Sequence, residues 1–290
     1  MTTWRLWRAL KSPPAANPIF RRVTTAYHED FYWPILVQNI VLQGQIWFWS
    51  LLFVVDTRAL ILMAFSGTCY GAIWAITISG TIAGQRTYGM YDLLCLSPTG
   101  TVGVNWAICT GCLHRHQAFA SVNSQEAWSV RLILFIPLVV SANVLFGRIF
   151  SATGTITIVW LFAFLTLFYI DHVQSIILGS LFGVLAPQRN TNGLDTRIWA
   201  IAGFLLVQVF TYLILIVSVL FILPGLFDRV GFGGLLADLS LPLLSILIFY
   251  AVREVVIMRL WHILTWDLNA APAELDSMFQ RAPSPDWITA

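Results

Sequence analysis

Long apolar runs separated by short polar passages set the pattern of this chain. A helix needs about 20 apolar residues to cross a bilayer. Six stretches reach that length: 34–55, 59–83, 130–150, 154–186, 198–223 and 239–258. The pattern predicts an all-α integral membrane protein with six transmembrane helices. The fourth stretch is too long for one straight crossing, so it should tilt, break or extend past the bilayer. Splitting it at Asp171-His172 gives the competing count, but leaves 173–186 short for a span.

The polar passages are uneven. In the first 33 residues, Trp4, Trp7 and Leu10 alternate with Arg5, Arg8 and Lys11, a pattern suited to the headgroup layer. In NPIFRRVTTAYHEDF, Asn17 can cap a helix and Pro18 suits its first turn. Phe20, Val23, Tyr27 and Phe31 then form one apolar face, so 1–33 is expected to hold a helix lying in the inner interface. Residues 34–262 form the transmembrane domain, with its largest loop at 84–129. PGLFDRVGFGGLLAD, at 224–238, reads as a glycine-rich outer connection or re-entrant piece. Residues 263–290 carry Asp267, Glu274, Asp276 and Asp286 with Pro272, Pro283 and Pro285, and read as a loosely ordered tail.

Composition excludes a soluble fold. Of 290 residues, 58% are hydrophobic and 10% charged, whereas about a quarter of an ordinary soluble domain is charged. Thirteen tryptophans fit membrane interfaces. With the N-terminus inside, only Arg58, Arg148 and Arg229 of the sixteen Lys and Arg fall outside. That bias places both termini in the cytoplasm and the loop 84–129 with them. A net charge of +2 follows from such loops and implies no nucleic acid. The first apolar run begins after about thirty residues and is long enough to span, so no cleavable signal is expected. Cys69, Cys95, Cys109 and Cys112 lie in or beside apolar runs, which argues against a disulfide framework.

The loop opens with GQRTYGMYDLLCLSPTG, residues 84–100. Tyr88, Tyr91, Leu94 and Cys95 can share a helical face, with Arg86 and Asp92 projecting elsewhere. Ser97-Pro98 stops that helix, and TVGVNWAICTGCL follows as a second amphipathic stretch. A helix–turn–helix of this kind can pass on a push from another domain as a rigid body.

This segment resembles the loop after the second helix of ABC transporter permeases of the type-two, exporter-like family. Arg86, Tyr91, Asp92, Leu93, Leu94, Ser97 and Pro98 fill the places of its pattern. NPIFRR resembles the family's N-terminal entry, and LGSLFGVLAPQR, 178–189, the end of its fourth helix. The resemblance implies a membrane subunit that dimerises, with itself or with another permease, in the cytoplasmic membrane. It also implies cytoplasmic ATP-binding subunits that drive alternating access and export by engaging Gln85, Arg86, Tyr88, Tyr91, Asp92, Leu93, Leu94, Ser97 and Pro98. Gln85 departs from the family, which carries Glu there; the altered charge motivates a second reading, a non-transporting scaffold. No GxxxxGK[ST] phosphate loop occurs, so ATP hydrolysis is assigned to another chain and no enzyme activity or cofactor to this one.

Other constellations are weighed against packing. Cys109-x-x-Cys112-x-His114-x-His116 has zinc-type ligands, but its halves are almost contiguous and no metal is expected. Asp171 and His172 sit in an apolar stretch where an ionised aspartate costs about 2.5–3.5 kcal/mol. They read as a translocation-path contact, as the proton site of an ion-coupled carrier, or as a buried pair. Gln38 and Gln45, two turns apart on the first span, suit interhelical bonding or a polar path. Glu254 beside Arg253 reads as a local ion pair.

Overall fold

A computed structural model of the chain describes residues 2–25, 56–97, 99–115, 119, 152–190, 192–231, 233–272 and 274–275. The stretches 34–55 and 130–150, Gln38, Gln45, Pro98, His116 and 276–290 lie outside the described residues. Among the described residues there is helix and no strand. The elements are α1 (Thr2–Lys11), α2 (Pro18–Thr25), α3 (Asp56–Thr87), α4 (Met90–Cys95), α5 (Gly100–His114), α6 (Ala152–Arg189), α7 (Gly193–Val217), α8 (Leu223–Val230) and α9 (Leu235–Asp267). Among the described residues, three helical stretches are long and apolar enough to cross a membrane: Thr166–Arg189, Gly193–Val230 and Leu239–Asp267.

The centre of the fold is α6, whose span is 83% buried, against 17% for Gly193–Val230. Gly71 and Gly179 bring α3 and α6 into backbone contact: a Cβ on Gly179 would sit 2.1 Å from the Gly71 carbonyl oxygen. Small residues permit this approach, which lets helices gain packing where lipid offers no hydrophobic drive. Gly67 meets Asp171, Ile78 meets Gly183, and Arg86 reaches Pro187. Rising together, these pairs make α3 and α6 parallel. Gln208 meets Asp171 while Gly203 meets Phe182, so α7 runs the other way. Arg253 at Asp171 and Asp267 at Arg189 set α9 parallel to α6.

The fourth stretch is one unbroken helix that extends beyond 154–186 at both ends, one of the outcomes its length allows, and is not split at Asp171-His172. Other elements differ from their sequence reading. The segment 224–238 is mostly helical: α7 passes through a π turn, Ser218–Ile222, into α8. The wide turn comes just before Pro224, which has no N–H to offer a helical ladder. A left-handed Gly231 (φ 70°) then ends α8, and α9 begins after Gly234. Past Trp261 the chain is ordered through Asp267, and Leu268 is buried. Thr101 Oγ1 donates to the Leu268 carbonyl at 2.7 Å, tying this end to α5.

The N-terminal helices keep their expected local chemistry. The Ile19 N–H donates to Asn17 Oδ1 at 2.8 Å, the cap that starts α2. Their apolar faces turn into protein: Leu6, Trp7, Leu10, Ile19, Phe20 and Val23 are buried. Val23 lies against Gly111 of α5. Rather than being amphipathic, α5 is buried on every side from Val104 to Leu113. His114 Nε2 donates to the Leu10 carbonyl at 2.8 Å and joins α5 to α1.

Two outcomes follow from these seams. Gly179→Ala should lower stability by about 1–3 kcal/mol through overpacking against a backbone that cannot yield, read as a lower melting temperature in detergent. Burial holds the His114 imidazole below its usual pKa despite the Leu10 bond. The unfolded chain therefore takes up this proton first on acidification. The stabilisation is complete above about 6.5, the ordinary histidine value, and is lost as pH falls toward the depressed value. Hydrogen exchange of α1 should accelerate over that interval in the native protein and not in His114→Asn.

Candidate functional site

Two constellations carry the polar chemistry of the fold. The first is the turn between α3 and α5. Gly89 adopts a left-handed conformation (φ 66°) and reverses the chain into α4, so the helix starts later than its sequence reading and leaves Tyr88 outside it. The reversal exposes three large apolar side chains at one tip: Tyr88 (78%), Leu93 (70%) and Leu96 (83%). Thr87 and Asp92 are also exposed there.

Below the tip the turn is braced. Arg86 donates to the Pro187 carbonyl and to Gln188 Oε1 at the end of α6. Its guanidinium also lies 4.4 Å from the centre of the Tyr91 ring. Tyr91 is buried, and its hydroxyl accepts from Asn105 Nδ2 at 2.7 Å. Leu94 packs against the core, and Ser97 Oγ shares a hydrogen bond with Thr99 Oγ1 at 2.8 Å. Among the described residues the buried Gln85 side-chain oxygen meets no hydrogen-bond partner. A carboxylate in those surroundings would bury a charge with no partner to compensate it.

The second constellation lies on α6. Asp171 Oδ1 sits 2.7 Å from Arg253 Nη2, and both side chains are almost wholly buried. Tyr212 donates to the same oxygen at 2.8 Å, with Gln208 Nε2 and Ser175 Oγ each at 3.4 Å. Gln208 Nε2 also donates to Thr68 Oγ1 at 2.9 Å. Arg253 donates further to Ser175 Oγ at 3.1 Å and to the Asp171 carbonyl at 3.3 Å. The Phe249 ring closes over it at 4.5 Å. Asp171 Oδ2 rests on Gly67, where a Cβ would come within 2.1 Å. One carboxylate thus gathers α3, α6, α7 and α9.

His172, next to Asp171 on α6, is buried with its ring edge-on to Tyr70 at 5.7 Å. Arg253 and Glu254 do not pair with each other. Glu254 instead accepts from the Thr2 N–H at 2.5 Å and from Thr3 at 3.4 Å, holding the start of α1. Adjacent helical residues point apart, which sends the two charges to different partners. Cys109 and Cys112 are buried free thiols. Burial raises both, Cys112 to about 11, so they stay protonated at neutral pH, unlike metal-binding or redox thiolates. Among the described residues no three His, Cys, Asp or Glu side chains converge.

Tyr212, Gln208, Ser175 and Thr68 carry no motif in the sequence, nor do Asn105 and Gln188 at the turn, and Arg253 reads there only as a partner of Glu254. A signal existed for some of them. Gln208 and Tyr212 stand four apart in an apolar run, where two polar side chains on one face want a common partner. No family model, no curated protein and no solved structure matches this chain.

Removing one partner of the buried pair leaves the other charge uncompensated, at a cost of about 3 kcal/mol or more. Asp171→Leu or Arg253→Met alone should therefore sharply lower the melting temperature in detergent, and the double variant should recover most of the loss. A double variant no better than either single one would show that the pair is not the unit of stability.

Proposed function

We propose that this chain is the membrane permease subunit of an ABC transporter, working as a homo- or heterodimer in the cytoplasmic membrane. Separate cytoplasmic ATP-binding subunits drive it, and substrate leaves the cell by alternating access. The observation that carries the reading is the braced apolar tip. Tyr88, Leu93 and Leu96 offer a partner a compact apolar grip, with Tyr88 an aromatic side chain of the type enriched among interface anchors. Arg86, Tyr91, Asn105 and Gln188 fasten the tip to α3, α5 and α6.

Displacement of the tip is delivered to the ends of α3 and α6 together, because packed helices move as bodies rather than deform. Helix directions agree with this reading: if α3 and α6 both cross the bilayer, their parallel run requires an odd number of passages between them, and the sequence offers one apolar run there, 130–150. The lack of a phosphate loop leaves hydrolysis to the partner. The ion-coupled reading draws no support from Asp171, whose carboxylate is taken up by Arg253 and Tyr212.

Truncating Leu93 and Leu96 together to Ala should weaken association with the ATP-binding subunit about tenfold or more, as loss of a central apolar anchor does. The folded membrane domain should keep its melting temperature, since both side chains are exposed. Co-purification and ATP hydrolysis of the reconstituted complex measure the effect; undiminished association would remove the coupling role.

A further inference from the structure

The first 25 residues hold Arg5, Arg8, Lys11, Arg21 and Arg22 and none of the fourteen Asp and Glu. All five cations are exposed. Apart from Trp4, the apolar faces of the same helices are already spent on α5, α6 and α9, so little remains on α1 and α2 to insert into lipid. What they present outward is charge. Their place in the fold says what surface that charge meets. The start of α1 is held by Glu254, within the Leu239–Asp267 span, and Trp4 stacks on Tyr169, within Thr166–Arg189, with ring centres 6.3 Å apart. Trp4 and Tyr169 are each 36% exposed, an aromatic pair of the sort that marks a bilayer interface.

We propose that the exposed face of α1 and α2 is an electrostatic seat for anionic phospholipid headgroups. Polybasic segments beside spanning helices are drawn to anionic lipid, and each Lys or Arg near the surface adds to the attraction. Arg5, Arg8 and Lys11 recur at every third position of α1. Lys11 is steadied by the Trp7 ring, 5.1 Å from its Nζ. Arg21 is steadied by the Ala15 carbonyl, which accepts from its Nε at 3.0 Å. Both cations keep their charge outward. Binding of this kind is held by charge alone and reversed by salt. The inference does not depend on the permease reading; it needs only that the spans cross a membrane.

The test is amide hydrogen exchange over residues 2–25 in nanodiscs of phosphatidylcholine alone and of phosphatidylcholine with phosphatidylglycerol. Phosphatidylglycerol should slow exchange about tenfold or more at low salt, given three or more cations at the surface. High salt should abolish the protection. The variant Arg5→Gln/Arg8→Gln/Lys11→Gln should exchange like the native protein in phosphatidylcholine and gain nothing from phosphatidylglycerol, while Arg5→Lys/Arg8→Lys should behave as native. Equal exchange in the two lipids overturns the proposal, as does protection that survives the glutamine variant. Equal protection by inorganic phosphate in neutral nanodiscs would also overturn it, marking a general anion site. So would a soluble ATP-binding subunit that slows exchange in neutral nanodiscs when phosphatidylglycerol does not.

Discussion

A single carboxylate holds four long helices at one level. Asp171 takes Arg253 from α9, Tyr212 and Gln208 from α7, and rests its second oxygen against Gly67 of α3. A buried ion pair is not in itself a strong stabiliser, because desolvation offsets much of the attraction. Its consequence is positional. Any sliding of α6 against α7 or α9 would strand a charge in a medium that cannot solvate it, so the pair fixes register as much as it adds stability. Glycine completes the arrangement, since a side chain at 67 would occupy the space of the carboxylate.

The same helices carry that fixed register to the braced turn at their other end. Arg86 spans from α3 to the last turn of α6, and Asn105 links Tyr91 of α4 to Gln188 of α6. The tip is therefore rigid where it joins the bundle and apolar where it meets the outside. The far end of α9 is drawn in as well, through Thr101 and the Leu268 carbonyl. The described contacts of the turn thus reach α3, α6 and the end of α9.

What the sequence makes legible divides by the range of the interaction. The α2 cap was readable because Asn17 and Pro18 act within their own turn. The last three apolar runs are legible as candidate spans because a span needs only length and composition. α5 was misjudged because its polar residues are satisfied internally: Thr110 donates to the Trp106 carbonyl and Asn105 to Tyr91, so residues that look solvent-facing are buried. Pro224 and Gly225 look like a loop, yet a π turn lets the helix run through them. Arg253 and Glu254 look like partners because they are neighbours in sequence, while helical geometry separates them. Long-range polar pairing, which binds Asp171 to residues 37 to 82 positions away, leaves almost no local trace.

The central claim is that the apolar tip is gripped by a nucleotide-hydrolysing partner. It is tested most directly by placing a photo-crosslinking amino acid at Leu96 in the full chain, illuminating intact cells and identifying the adduct by mass spectrometry. The account predicts one dominant protein adduct whose own sequence carries a GxxxxGK[ST] phosphate loop. Adducts formed only with lipid, or with no such protein, would contradict it.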